Sequence, residues 1–491
     1  MISSHLPVLQ VVLPLLAAQL CVLLKRSSLL WAFSLLVSIL SAVIAWSLLQ
    51  QTDAGIISYA IGGWAAPWGI EYRVDKLNAY VLLIVTSIGS LVMLGGRKSI
   101  EQEIENKNLS LFYTAYLLCF AGLLGITITG DAFNVFVFLE ISSLSSYALI
   151  SLGRDRRALT AAYQYLVMGT IGATFILIGI GMMYMITGTL NMHDLAQRLP
   201  EAGSSRTMLT AFAFMFVGVS LKLALFPLHL WLPNAYAYAP SIVSAFLAGT
   251  ATKVAVYVLL RFIFTVFGIE YAFTQLPLSA ILMVLAIAAI LLATMSAIYE
   301  SNMKRLFAYS SVAQLGYMIL GISFLSVTGL TSSLLHLFNH ALMKAALFMA
   351  LACVMYQQGG VMMDNLKGLG RRMPWTFSAI IIGGLSLVGV PLTVGFISKW
   401  YLILAAIEAG QFVLVAVVLT GSLLALIYVW RIVEQGYFYN SDEEIIRKEA
   451  PLSLLIPTWL LVLANIYFGI DTSLTIGVAE TTAQQLLGVS P

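Results

Sequence analysis

The stretch SLKLALFPLHLWLPNAYAYAPSIVSAFLAGTATKVAVYVLLR, residues 220–261, decides the fold. It is almost wholly apolar, yet it holds Lys222 in one hydrophobic segment and Lys253 in the next. About 20 mostly apolar residues suffice for a helix to cross a membrane. Pro227 has no backbone N–H to donate to the carbonyl of residue 223, so it interrupts a helix there. The stretch therefore predicts two membrane helices with a charge inside each, the first of them broken.

The composition extends this prediction to the whole chain of 491 residues. Hydrophobic residues make up 60% of it, charged residues 10%, and the mean hydropathy is +0.95. Soluble domains carry roughly 25% charged residues. A soluble enzyme, a nucleic-acid-binding protein and a disordered chain are therefore excluded. The formal charge of +3 indicates no polyanionic partner.

Motifs that would hold a cofactor are missing from the sequence. The three cysteines lie far apart in apolar segments and form no CxxC pair. This argues against a disulfide framework, an iron–sulfur cluster and a cysteine-ligated zinc. No Walker A sequence, credible dinucleotide fingerprint, or haem or flavin motif is present. We therefore expect no cofactor and no bound metal in this chain.

The chain divides into fourteen hydrophobic segments, none of which shows the period of two expected of a barrel strand. The first segment is followed, not preceded, by Lys25 and Arg26, which predicts a membrane helix and not a cleaved signal peptide. The pattern predicts an all-α integral membrane protein. The predicted segments are 6–24, 29–49, 77–95, 110–130, 132–152, 160–186, 208–230, 240–266, 275–298, 305–324, 328–356, 374–406, 411–433 and 452–470.

The basic residues test the segment count. With the N-terminus placed outside, the odd-numbered connections hold sixteen Lys and Arg residues and the even-numbered connections hold five. Because cytoplasmic connections carry the excess of Lys and Arg, we predict a multi-pass protein of the cell inner (plasma) membrane with both termini on the outer face. The external connections 50–76 and 187–207 are expected to hold only short amphipathic pieces, and 439–449 is predicted to be a solvated cytoplasmic loop.

Five charged side chains remain inside the hydrophobic segments: Glu140, Lys222, Lys253, Lys344 and Lys399. A charge at the centre of a bilayer costs roughly 2.5–3.5 kcal/mol, so such residues indicate a polar, hydrated pathway inside a bundle. Burial also disfavours the charged form of a lysine, which lets a desolvated ammonium exchange its proton. The alternative is a lysine that reaches the membrane surface along its aliphatic stem, and Lys399 would do so if its segment ended early.

A second broken segment is GGLSLVGVPLTVGFISKWYL, residues 383–402, in which Pro391 and Gly395 are predicted to interrupt the helix just before Lys399. One kink alone is commonly tolerated in a membrane helix. Two breaks that lie five segments apart, each beside a lysine, predict two five-helix repeats formed by segments four to eight and nine to thirteen.

Two further polar residues are auxiliary candidates. His229 follows Lys222 by seven residues and would lie on nearly the same face of a regular helix. Asp131 stands at the junction of two predicted helices.

Segment eleven carries a polar stripe in HLFNHALMKAALF, residues 336–348. His336, His340 and Lys344 are spaced four residues apart and share one face of an otherwise apolar helix. Two histidines in this spacing are able to ligate a metal, but no third ligand is evident. A proton relay is favoured because imidazole titrates near neutrality.

These residues resemble a known family. The stretch TGDAFNVFVFLEISSLSSYALIS (129–151) resembles the fifth helix of the antiporter-like subunits of respiratory complex I and of Mrp-type multi-subunit cation/proton antiporters. Residues 220–261 resemble helices seven and eight of those subunits. The segments ESNMKRLFAYSSVAQLGYM (300–318), HLFNHALMKAALF and PLTVGFISKW also match, and the resemblance covers roughly residues 75–435.

The resemblance implies fourteen helices with two inverted five-helix repeats and with helices seven and twelve broken. It divides the chain into the first three helices (1–109), a first repeat (110–266), a second repeat (275–435), and a cytoplasmic loop with the last helix (436–491). It also implies a proton relay, in which Glu140 pairs with Lys222 and Lys253 is central. The implied relay residues are Glu140, Lys222, Lys253, His336, His340, Lys344 and Lys399.

Within the family the chain is most similar to the D-type member of Mrp sodium/proton antiporters. The resemblance implies a transporter subunit, not an enzyme, that exchanges protons for Na⁺ together with other membrane subunits. The alternative is a proton-pumping subunit of a redox complex of the NADH-quinone oxidoreductase or membrane-bound hydrogenase type, whose redox site lies in partner subunits. A purely structural subunit is a third hypothesis, against which the buried charges argue.

Overall fold

The computed structural model describes residues 3–203, 205–439 and 447–489 and shows a nearly all-helical bundle. The first six helices, α1–α6, are Leu6–Cys21, Ser27–Gln51, Lys76–Glu103, Leu109–Ile128, Ala132–Ser151 and Arg157–Thr187. Helix α7 has two parts, α7a (Arg206–Leu223) and α7b (Trp231–Tyr238). Helices α8 (Ser241–Val266) and α9 (Leu278–Tyr299) include short π-helical stretches.

The second half of the bundle continues with α10 (Met303–Ser323) and α11 (Val327–Gln358). Helix α12 also has two parts, α12a (Pro374–Val388) and α12b (Val394–Glu408). The remaining helices, α13 to α15, are Phe412–Tyr437, Leu452–Ile470 and Ser473–Leu487.

The predicted membrane fold is confirmed. Within the described residues, twelve helices are long and apolar enough to cross a membrane, and α1 and α12a are shorter apolar helices. Each of the fourteen predicted segments corresponds to one of the helices α1–α14. The two breaks occur in the seventh and twelfth segments, as predicted.

The C-terminal part differs from its prediction. The range 436–491 was expected to hold one helix after a loop, but the structure has α15 as well as α14, and α15 packs against α11 and α3. Residues 440–446 of the predicted loop lie outside the described residues. Glu449, at the end of that loop, accepts hydrogen bonds from the backbone N–H of Trp375 and from the Thr376 hydroxyl. Part of the predicted loop thus caps α12a.

The external connections contain more structure than expected. Strands β1 (Ile57–Ala60) and β2 (Glu71–Val74) form an antiparallel hairpin with Ile57 opposite Val74. The connection 187–207 holds the predicted short amphipathic piece as a helix, Met192–Glu201, capped by the Asn191 side chain. The hairpin is too short to give a clear alternating pattern in the sequence.

The core lies around α8, α10 and α11, which other helices surround almost completely, whereas α2 and α13 expose most of their surface. Helix α11 packs against α8, α10, α12b and α14. A helix that is apolar all round belongs in such a position. The polar residues of α8 and α11 are therefore held in the interior of the bundle.

Each broken helix satisfies its freed backbone groups locally. Helix α7a ends at Leu223, Ala224 has a positive φ of 58°, and the indole N–H of Trp231 donates to the carbonyl of Leu221 at 3.0 Å. Helix α12a ends at Val388 and is followed by Gly389 with φ 92°.

The expected position of Gly395 in the second break is wrong, because this residue lies in the first turn of α12b. A Cβ on Gly395 would overlap the carbonyl oxygen of Ser386, so its role is to let α12b approach the end of α12a. Pro391 lies in the break itself.

Arg261 was counted among the external basic residues, but the structure places it in α8, where it is 9% exposed. Its guanidinium donates to both carboxylate oxygens of Asp75, at 2.8 and 2.9 Å. Burial alone would raise the pKa of Asp75, but the charge and hydrogen bonds of Arg261 hold it below its usual value. The pair ties the start of α3 to the end of α8.

Asp75→Asn is expected to destabilise the fold by about 3–5 kcal/mol, because it leaves the Arg261 guanidinium buried without a counter-charge. The midpoint of thermal unfolding of the purified protein checks this. Asp53→Asn is the matched control: its ion pair with Lys76 spans 3.1 Å, but the Asp53 side chain is 72% exposed, so it should cost less than about 1 kcal/mol. Equal effects of the two substitutions would contradict the assignment.

Candidate functional site

An ion pair joins α5 to the end of α7a. The Lys222 ammonium lies 3.6 Å from Oε1 of Glu140 and donates a 2.8 Å hydrogen bond to the Ser143 hydroxyl. The lysine side chain is 5% exposed, whereas the glutamate side chain is 27% exposed. The structure therefore brings together the two residues that the sequence placed 82 positions apart, with the carboxylate at the edge of the bundle.

Glycine on α6 makes room for this pair. A Cβ on Gly169 would overlap the hydroxyl of Tyr147 and would lie 3.5 Å from the Lys222 ammonium. Tyr147 packs edge-on against Tyr165, which stacks on Trp231 with ring centroids 3.9 Å apart. This row of aromatic rings connects the ion pair to the second part of the broken helix.

His229 does not share a helical face with Lys222, so that expectation is wrong. Residues 224–230 are not helical, and the break turns His229 away from the axis of α7a. Its buried ring stacks on Phe226 at 5.1 Å and meets Tyr309 of α10 edge-on at 6.1 Å.

Asp131 caps α5. Its carboxylate accepts a 2.7 Å hydrogen bond from the backbone N–H of Asn134, and burial raises the pKa of Asp131. Glu140 is nine residues further along the same helix, which is roughly 13 Å at the rise of an α-helix. Asp131 therefore does not belong to the ion pair.

Lys253 lies at the centre of α8 with no exposed surface. Its ammonium donates to the carbonyl of Ala248 and lies 3.4 Å from the Thr252 hydroxyl. No carboxylate pairs with it among the described residues. An ammonium held by neutral oxygens in the protein interior is poised to lose its proton.

The predicted stripe on α11 is fully buried. The Lys344 ammonium donates to the carbonyl of Phe307 at 2.8 Å and to the Ser310 hydroxyl at 2.5 Å, both on α10. The rings of His340 and His336 are nearly parallel, with centroids 6.1 Å apart. Nδ1 of His336 lies 2.7 Å from the Ser398 hydroxyl of α12b, so the stripe ends at the second broken helix.

Lys399 lies inside the protein and does not reach the membrane surface. Its ammonium donates to the carbonyls of Leu387 and Val388, at 2.8 and 2.9 Å, and to the hydroxyl of Ser422 at 2.9 Å. It also lies 4.7 Å from the ring centre of Tyr317. The lysine thus binds the carbonyl end of α12a, which carries a partial negative charge.

One buried cation was missed by sequence reasoning. Lys304 was assigned to a cytoplasmic connection, but its side chain is 1% exposed and donates to the carbonyl of Ala239 at 3.0 Å. It lines a cavity of about 300 Å³ together with Glu103. Its position in the first turn of α10, beside Arg305, gave no signal that distinguishes it from a solvated residue.

The site contains titratable groups in series and no metal constellation. Within the described ranges, no group of three or more His, Cys, Asp or Glu side chains is placed to hold a metal ion. The groups that are present exchange protons: one carboxylate, four lysines and two histidines. They extend from α5 and α7 through α8 and α11 to α12.

A family match covers the same helices. The sequence profile described as NADH:quinone oxidoreductase/Mrp antiporter, TM, matches residues 129–425. The chain belongs to this family. The match includes every residue of the predicted relay, from Glu140 to Lys399.

Relatives of the family carry two kinds of name. The N-type member of the NADH-quinone oxidoreductase of Desulforudis audaxviator is 38% identical and aligns with 95% of this chain and 96% of its own length. The D-type member of the Na⁺/H⁺ antiporter of Bacillus subtilis is 28% identical over 99% of this chain and 97% of its own length.

Solved structures of the family have the same fold. A chain of the Mrp complex from Dietzia sp. superposes with a TM-score of 0.90 at 25% identity, over 99% of this chain and 98% of that one. A chain of the archaeal membrane-bound sulfane sulfur reductase also gives 0.90, at 30% identity and 98% coverage of both chains.

Proposed function

We propose that this chain is the proton-translocating membrane subunit of a multi-subunit antiporter that exchanges protons for a monovalent cation, Na⁺. The observation that carries the proposal is the interior series of titratable side chains from Glu140 to Lys399. Isolated charges inside a membrane protein are costly and mark ion pathways. The Na⁺/H⁺ antiporter relative, similar over nearly its whole length, supports the choice of reaction.

The pair of Glu140 and Lys222 acts as a switch in this proposal. While the carboxylate is charged and close, it stabilises the ammonium. When the carboxylate is protonated or moves away, Lys222 releases its proton towards Lys253 and the α11 histidines. Lys399 would exchange the proton with one side of the membrane at the break in α12, where water is able to reach a non-helical backbone.

The surface near Glu140 supports an assembly with other membrane subunits. About a quarter of the Glu140 side chain is exposed, although the residue lies in the middle of α5. A carboxylate facing lipid is unfavourable, so this surface favours contact with a neighbouring subunit. We propose no redox chemistry or catalysis for this chain itself.

A second function is favoured by the 38% identical relative named as a subunit of NADH-quinone oxidoreductase. In that case electron transfer in partner subunits would drive the same proton relay. The chemistry of this chain is common to both proposals, and only the driving reaction and the partners differ.

Flux measurements on the intact complex separate the two. The complex is purified from membranes, its subunits are identified, and it is reconstituted into vesicles that enclose a pH dye. An imposed Na⁺ gradient without an electron donor should move protons, whereas a matched choline gradient should not. Proton movement that requires an electron donor and ignores the Na⁺ gradient would replace the antiporter with the redox-driven pump.

The orientation remains part of the proposal. The excess of basic residues in the odd-numbered connections places both termini outside. Cysteines introduced one at a time at Ser473 and Lys367 should react with a membrane-impermeant reagent from outside and from inside, respectively. The reverse pattern would invert the orientation.

A further inference from the structure

The relay helices α10 and α11 lie antiparallel in a defined register. Ser310 of α10 contacts Lys344 of α11 at 2.5 Å. Tyr317 of α10 packs edge-on against His336 of α11, with ring centroids 5.8 Å apart. Seven residues separate the first pair from the second on α10 and eight on α11, so Gln314 lies opposite His340.

Gln314 and His340 are both buried with unused polar atoms. Gln314 is 1% exposed and His340 is fully buried. Oε1 of Gln314 and both ring nitrogens of His340 have no hydrogen-bond partner among the described residues. An unpaired buried polar atom costs about 1–3 kcal/mol, and a membrane helix with an apolar residue at position 314 would avoid that cost.

The two residues stand at the gap in the relay. The rings of His336 and His340 are 6.1 Å apart between centroids, which is too far for a direct hydrogen bond of about 2.7–3.2 Å. Lys344 is one further turn along α11, which adds roughly 6 Å. A proton that moves along this stripe therefore needs a polar group beside His340.

We propose that Gln314 is a positioning residue of the relay, whose amide orients the His340 imidazole through a shared water molecule. An amide both donates and accepts hydrogen bonds, so it stabilises either tautomer of the ring. A proton arriving from the Lys344 side binds one ring nitrogen while the other nitrogen releases its proton towards His336. The amide gains and loses no net proton. The inference rests on the proposed function, because it assigns a role within that relay.

The test replaces Gln314 with methionine, which has a similar length and no hydrogen-bonding amide. In the intact complex, Gln314→Met should lower cation-coupled proton flux about tenfold or more, because a misplaced transfer group is slow. Gln314→His, which keeps a group that donates and accepts, should retain a larger share of the flux.

The chain offers a matched control in Gln10 of α1, which is also fully buried with an unpaired amide. Gln10→Met should leave flux within about twofold of the parent. Both variants should assemble to the same level with the same unfolding midpoint.

A second comparison tests whether Gln314 acts through His340. In a His340→Gln complex that retains partial flux, adding Gln314→Met should change the flux by less than about twofold, because there is no imidazole to orient. Unchanged flux in Gln314→Met, equal losses in the Gln10 and Gln314 variants, or independent losses in the double variant would each overturn the inference. If the parent complex moves no protons in response to a cation gradient, the proposed function fails instead.

Discussion

Glu140→Ala should abolish cation-coupled proton flux while the complex still assembles. The Glu140 carboxylate is 3.6 Å from the Lys222 ammonium and is its only acidic partner among the described residues. Without it, Lys222 keeps only its hydrogen bond to Ser143, so the switch between a paired and an unpaired lysine is lost. We expect a loss of about 100-fold or more, which is typical when a proton-transfer group is removed.

Two further substitutions separate charge from shape at this position. Glu140→Gln keeps the size of the side chain and should fail like the alanine variant, whereas Glu140→Asp should retain part of the activity. Glu480→Ala, which alters an exposed glutamate on α15, is the control and should keep its flux. A Glu140→Ala complex that assembles and has normal flux would remove Glu140 from the relay.

Lys399→Arg should fail almost as completely as Lys399→Ala, although it preserves the positive charge. The account requires Lys399 to give up its proton, and arginine does not do so in proteins. If the lysine only capped α12a through the carbonyls of Leu387 and Val388, arginine would serve as well. Flux in matched vesicles distinguishes these roles, and we expect a loss of about 100-fold.

Packing must be checked in this comparison. The position of a Cβ on Gly389 is only 3.0 Å from Cδ of Lys399, so a larger head group is tightly confined. The arginine variant is therefore informative when its assembly and unfolding midpoint match those of the parent. Near-normal flux in Lys399→Arg would show that the residue has a structural role and carries no proton.

The long apolar segments made most of the fold predictable. Fourteen segments and two breaks were visible because a membrane helix needs a continuous apolar run and proline interrupts it. The hairpin of β1 and β2 and the last helix, α15, lacked such a signal. The second break was placed too far along the chain, because Gly395 permits close packing of α12b and does not interrupt it.

The charged members of the site were also visible, because a charge is conspicuous within an apolar segment. Position along the segment limited this reasoning: Lys304 and Arg261 are near helix ends and were counted with the solvated basic residues, yet both are buried. Gln314 is neutral, so only the register of α10 against α11 reveals its place opposite His340. Gly169 is significant because of the space beside Tyr147, which no sequence pattern shows.

The most direct test of the central claim is the proton flux driven by a Na⁺ gradient in vesicles that hold the intact complex with Lys253→Met and no electron donor. Methionine keeps the length and removes the ammonium at the centre of α8, where the side chain has no exposed surface. The account predicts that flux falls about 100-fold while assembly is unchanged. Flux equal to that of the parent complex would show that protons do not pass along the interior series, and would contradict the account.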